Sequence, residues 1–138
     1  MAQPYVYEIE VADSAIDTNG HANNVEYLRW MEDAAASHSD AVGWTDATRA
    51  LGATWVVRSH HVEYLRPAFA GDRVEVRTRV VDFRRAFSLR EYELVRRDDG
   101  SILARGETNW TFVEVASGRP RSVPEHIRAL FAAQVPGP

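Results

Sequence analysis

The spacing of apolar residues turns helical in one long segment of this chain, and that segment constrains the fold more than any other feature. From about Asn24 to Val42, Tyr27, Leu28, Met31, Ala34, Ala35 and Val42 fall on one stripe. Glu26, Arg29, Asp33, Ser37 and Asp40 lie largely opposite, and Gly43 is placed to stop the helix. The longer segments around it read as strands. Residues 5–11 put Tyr5, Tyr7, Ile9 and Val11 on one face. Residues 54–66 are rich in β-branched and aromatic residues and end at Pro67. Residues 73–80 alternate, with Val74, Val76, Thr78 and Val80 on one side. Segments 87–97 and 102–115 follow, joined by the Asp-Asp-Gly turn at 98–100. Short helices are expected at 46–51 and, starting near Pro124, at 124–133.

One long helix with one apolar stripe needs one apolar face to bury it. The order therefore predicts an α+β architecture, an antiparallel sheet of about five strands wrapped round one long central helix. The face Ala104, Gly106, Thr108, Trp110, Phe112 begins with small residues, so the helix is expected to lie close to that end.

The chain has 138 residues, a length that fits a single domain over 1–138. Its net charge of −4 and its lack of basic runs give no reason to expect a nucleic-acid or anionic-membrane surface. It has no cysteine, which excludes disulfides, thiolate metal sites and cysteine nucleophiles. The first ten residues do not read as a secretory signal, and no apolar run is long enough to span a bilayer. A cytoplasmic location is expected. His60 and His61 are adjacent on a strand and point to opposite faces, so they do not share an ion. No metal and no cofactor are expected.

The chemistry concentrates in "IDTNGHANNVEYLRWMED", residues 16–33. Asp17, Asn19, His21, Asn23 and Asn24 crowd into the turn before the helix. Such residues make Asx turns and cap helices. They also set a carboxylate and an imidazole beside a helix N-terminus, whose N–H groups and dipole suit a developing oxyanion. Asp17 can activate water or attack a carbonyl itself. Gly20 suits a turn conformation or a close approach of substrate. Asn23 and Asn24 are capping candidates, and Asn24 and Val25 are candidate N–H donors.

This segment resembles the active-site motif of hotdog-fold thioesterases, especially the 4-hydroxybenzoyl-CoA thioesterase-like group: an Asp, two residues, Gly-His, one residue, Asn-Asn, then Tyr inside the helix. The Asp-x-Asn-x-His spacing is also similar to plant acyl-ACP thioesterases. "VEYLRPAFAGDRVEVRTRV" and "DGSILARGETNWTFVEVASGRP" extend the resemblance over most of the chain. It implies a hotdog fold and hydrolysis of an acyl-CoA or acyl-ACP thioester without metal. It also implies a homodimer or homotetramer, paired through edge strands, with the active site at the dimer interface. Asp17 matches the catalytic carboxylate, and Asn19 and His21 match supporting catalytic positions. Where the plant enzymes carry a further acid and a cysteine, this chain offers Glu63 and no cysteine. Trp30, Trp55 and Trp110 are read as core or interface residues, one of them a wall of the acyl chamber. Arg84, Arg85, Arg119 and Arg121 are read as a solvated face, with contact to coenzyme A phosphates as the alternative. Two other functions share the fold. A hydratase or dehydratase uses a longer Asp-to-His spacing with a proline, which this motif lacks. A non-catalytic acyl-binding protein would bind thioesters without turnover. No Gly-x-Ser-x-Gly segment is present to support a serine hydrolase.

Overall fold

The computed structural model describes residues 3–133. Strand β1 (Tyr5–Glu10) leads through a 3-10 turn (Asp13–Ala15) and a polar loop into helix α1 (Asn24–Ala41), followed by α2 (Trp44–Ala50). Strands β2 (Ala53–Tyr64), β3 (Arg73–Arg84), β4 (Phe87–Arg96) and β5 (Ile102–Glu114) come next, then α3 (Glu125–Ala133). Residues 134–138 lie outside the described residues.

Every expected element is present, with shifted ends. Gly43, at φ +82°, ends α1 and immediately caps α2, so α2 starts at Trp44 and not at Asp46. The clean alternation of β3 stops at Val80 because its pairing with β4 slips between Val80 and Asp82. The strand itself continues to Arg84.

All strand pairs are antiparallel, in the order β1-β3-β4-β5-β2. That leaves β1 and β2 as edges. Helix α1 lies on one face and buries Tyr27, Trp30, Met31, Ala34, Ala35 and His38. The stripe thus includes Trp30 and His38, while Leu28 is only half-buried. The helix packs on Val74 and Val76 of β3, Tyr92 and Leu94 of β4, and Ala104 of β5. A second cluster fills the other end, with Trp44 of α2, Ala53 of β2, Phe112 of β5 and Ile127 and Phe131 of α3. This is the α+β arrangement expected from the sequence, one long helix against a five-stranded antiparallel sheet.

Candidate active site

The loop before α1 folds back on itself. Asp17 N–H donates to His21 C=O at 3.1 Å, and Gly20 N–H returns to Asp17 C=O at 3.0 Å. Gly20 makes this turn at φ +83°, a backbone region most side chains resist. The side chain of Asp17 takes part, as Oδ1 accepts from Asn19 N–H at 2.8 Å in an Asx turn. A bridge between Ile16 and Ala22, and a bond from Asn23 N–H to Ala15 C=O at 2.9 Å, hold Asp17 beside the helix start.

At that start Asn23 is the N-cap. Its side-chain oxygen accepts from Val25 N–H at 2.9 Å, and its carbonyl accepts from Glu26 N–H at 2.9 Å. Val25 N–H, expected as a donor to substrate, is thus engaged by the cap in this structure. Asn24 N–H, by contrast, makes no hydrogen bond among the described residues. This leaves an unengaged N–H on an exposed residue at the positive end of an 18-residue helix.

The other motif residues fall into place unequally. His21 is half-buried and its Nδ1 lies 3.4 Å from Ala22 C=O, a long contact within its own loop. The side chain of Asn19 is exposed, and only its backbone meets Asp17. Two tyrosines brace the site. Tyr27 OH accepts from Ala68 N–H at 3.0 Å, and Ala68 C=O accepts from Ala22 N–H at 2.8 Å, which ties the β2–β3 loop to the polar loop. Burial raises the Tyr27 phenol above its usual range, so it stays neutral. Tyr64, at the end of β2, donates to Asn24 C=O at 3.1 Å. The sequence placed Tyr27 in the motif without a task, and gave Tyr64 none. Its signal is position, the third residue before Pro67 and in phase with the inward face of β2.

Glu63 does not join them. It neighbours Tyr64 on β2, and Tyr64 already points to the helix side, so Glu63 points to the outer face, where His61 also lies. His60 takes the helix side. Its Nδ1 is 2.8 Å from Thr108 Oγ1 and its Nε2 is 3.5 Å from Glu32. The histidine pair thus splits across the sheet as expected. Arg84 is paired to Asp82 at 2.8 Å, and Arg121 donates to Leu51 C=O.

A cavity of about 540 Å³ opens between α1, α2, β2 and β5. Trp44, Trp55 and Trp110 wall it, while Trp30 belongs to the main core. Among the described residues no group of three His, Cys, Asp or Glu side chains is arranged to hold a metal ion, and no helix is long and apolar enough to cross a membrane.

A long central helix packed on a five-stranded antiparallel sheet is the hotdog arrangement. The chain belongs to the thioesterase-like superfamily, whose family model matches residues 11–131. It is 29% identical over 136 residues to the L-carnitine dehydrogenase/betainyl-CoA thioesterase of Agrobacterium fabrum, covering 96% of this chain and 28% of that protein. It is 37% identical over 84 residues to Protein THEM6 of Danio rerio, covering 61% of this chain and 42% of that protein. The chain thus spans less than half the length of these curated relatives. Among solved structures, a thioesterase from Thermus thermophilus complexed with coenzyme A and Zn is 29% identical with a TM-score of 0.82, covering 96% of each chain.

Proposed function

We propose that this chain hydrolyses acyl thioesters, with Asp17 as general base or nucleophile and Asn24 N–H as the oxyanion donor. The observation that carries this reading is the unengaged Asn24 N–H beside the Asp17 hairpin. A thioester whose oxygen accepts from that N–H presents its carbonyl carbon toward the carboxylate. Asp17 takes a proton from a water as it adds to that carbon, and the oxyanion collapses to release the thiolate. Direct attack by the carboxylate instead gives an anhydride that water then opens. Coenzyme A is favoured over a carrier protein as the thiol, because relatives of this chain are named for it or bind it. Such a substrate would be met in the cytoplasm.

The same reading makes the working unit a homodimer, with two dimers forming a tetramer as a further option. Strand β2 pairs with β5 on one side only among the described residues and is 12 residues long. It leaves Val56 and Tyr64 more than two-fifths exposed. An open edge of this length invites a second strand. Antiparallel pairing of two β2 strands about their midpoint sets Tyr64 of one copy opposite Ala53 of the other. Tyr64 holds Asn24, and Ala53 lines the cavity. The helix start of one copy then faces the cavity of the other. Within one copy the lining residues Asp33 and Ser39 lie about 14 and 22 Å along α1 from Asn24, at ~1.5 Å per residue.

Thiol release across a panel of aliphatic and aryl acyl-CoAs, run beside light scattering, tests both statements. Turnover by a dimer is expected. Binding without thiol release would leave an acyl-binding protein, water addition to an enoyl-CoA would indicate a hydratase, and an active monomer would sink the shared site.

A further inference from the structure

The lining of the cavity includes an arginine with no counter-charge among the described residues. Arg90 of β4 is 1% exposed, and none of the ion pairs among the described residues involves it. Its Nη1 donates to His38 Nδ1 at 3.0 Å and to Thr78 Oγ1 at 3.1 Å. Both acceptors are neutral. Thr78 passes its own proton to Glu91 C=O, and His38 is held far below its usual range by burial and then by Arg90 itself. Burial lowers the guanidinium only to about 10, so it remains a cation at neutral pH. Its Nη2 has no hydrogen-bond partner among the described residues.

The neighbours of Arg90 share this condition. Ser88 and Tyr92 alternate with it along β4 and so face the same way. Trp110 of β5 is paired with Ser88. Ser88 Oγ and Trp44 Nε1 are buried without a partner, while Tyr92 OH lies near enough to Thr108 and Trp110 to interact with both. Each can donate a hydrogen bond, and Arg90, Trp44 and Trp110 line the cavity directly. A fold that needed only a filled core would place apolar side chains here, since buried unpaired donors and an uncompensated charge are each costly. The carboxylates of the cavity, Glu32 and Asp33, are on the exposed side of α1, and Glu32 lies against His60.

We propose that the cavity takes an acyl group whose far end is a carboxylate, with Arg90 as its specificity-determining cation. This rests on the thioesterase reading and names its substrate class, the monothioester of a dicarboxylic acid. Tryptophan walls cover the methylene spacer, and the guanidinium with the Trp44 indole N–H receives the terminal oxygens. A charge-assisted hydrogen bond of this kind corresponds to a preference of about ten- to a hundredfold.

The test uses the wild-type chain and matched thioesters: butyryl- against succinyl-CoA, pentanoyl- against glutaryl-CoA, with betainyl-CoA as the cationic arm. At least one carboxylated member is expected to exceed its neutral partner by ten- to a hundredfold in kcat/KM. Equal or greater rates for the neutral members, or betainyl-CoA as the best substrate, would overturn the carboxylate proposal and leave thioester hydrolysis standing. Absence of thiol from all five would overturn the carboxylate proposal, and hydrolysis itself would fall only if the aryl and longer acyl-CoAs of the wider panel also released no thiol. Arg90→Gln is expected to raise KM for the carboxylated substrate by a larger factor than for its neutral partner, which narrows or abolishes the preference. A folded variant that keeps the preference would remove Arg90 from this role. If that variant does not fold, the wild-type comparison alone decides.

Discussion

Met31 occupies the space that a β-carbon on residue 106 would need. A β-carbon built there would lie 2.7 Å from Met31 Cε and 3.1 Å from Sδ. Gly106 is therefore a point of direct contact between α1 and β5, and a side chain there would compete with Met31 for space. Gly106→Ala is expected to destabilise the fold by about 1 kcal/mol, the low end for overpacking, because a methionine tip can rotate away. Met31→Ala alone should cost more, through the cavity it leaves. The double variant should be more stable than the sum of the two losses predicts, which urea denaturation measures. Strict additivity would mean that the two residues do not compete for this space.

That contact also shows what the sequence can and cannot reveal. The stripe on α1 and the small face of β5 were each legible, since one has a helical period and the other alternates. Arg90 was not. In β4 the inward residues Ser88, Arg90, Tyr92 and Leu94 interleave with Phe87, Leu89, Glu91 and Glu93, so both faces mix apolar and polar types. Periodicity cannot choose between such faces, and only the register with β3 and β5 does. His38 was hidden for the same reason, because its burial is set by Tyr5, Arg90 and Phe131 from three other elements. The polar loop was legible as a turn and as a motif. Which N–H its cap consumes was not, because that depends on one side-chain rotamer at Asn23.

His38 gives a pH dependence with a definite sign. Burial and the Arg90 guanidinium lower it from 6.5 to about 3 in the folded chain. The unfolded chain takes up this proton near pH 6.5 and the folded chain does not until about pH 3. The stabilisation is therefore complete above pH 6.5 and is lost as pH falls toward 3, with a slope of up to about 1.4 kcal/mol per pH unit. His38→Gln keeps an acceptor for Arg90 and removes the titration. Its unfolding free energy should fall less steeply than wild type between pH 6.5 and 5. Parallel curves would show that His38 is protonated or exposed in the native chain.

Gly20 separates turn geometry from chemistry. A β-carbon there meets no atom within 4 Å, so the cost of Gly20→Val comes from φ +83° alone. That cost is about 1–2 kcal/mol for a residue forced into the left-handed region, and the loop rather than the core will absorb it. The variant is expected to lose a larger share of kcat than of thermal stability, because the displaced loop carries Asp17. Matching losses in melting temperature and rate would assign Gly20 a structural task only.

Asp17→Asn is the most direct test of the mechanism, and the hydrogen-bond pattern makes it a clean one. Asp17 Oδ1 accepts from Asn19 N–H, and an asparagine Oδ1 does the same, so the Asx turn survives the change. The bonds from Asp17 N–H to His21 and from Gly20 N–H to Asp17 involve backbone only. What the variant removes is the ability to take a proton or to attack. The expected result is a fall in kcat of about a hundredfold or more, the low end for losing a general base, with KM little changed and the melting temperature retained. Asp17→Ala, which also breaks the Asx turn, should lose both rate and stability. A near-normal kcat in Asp17→Asn would take the carboxylate out of the reaction and leave His21, the other titratable side chain of the loop, as the group to test.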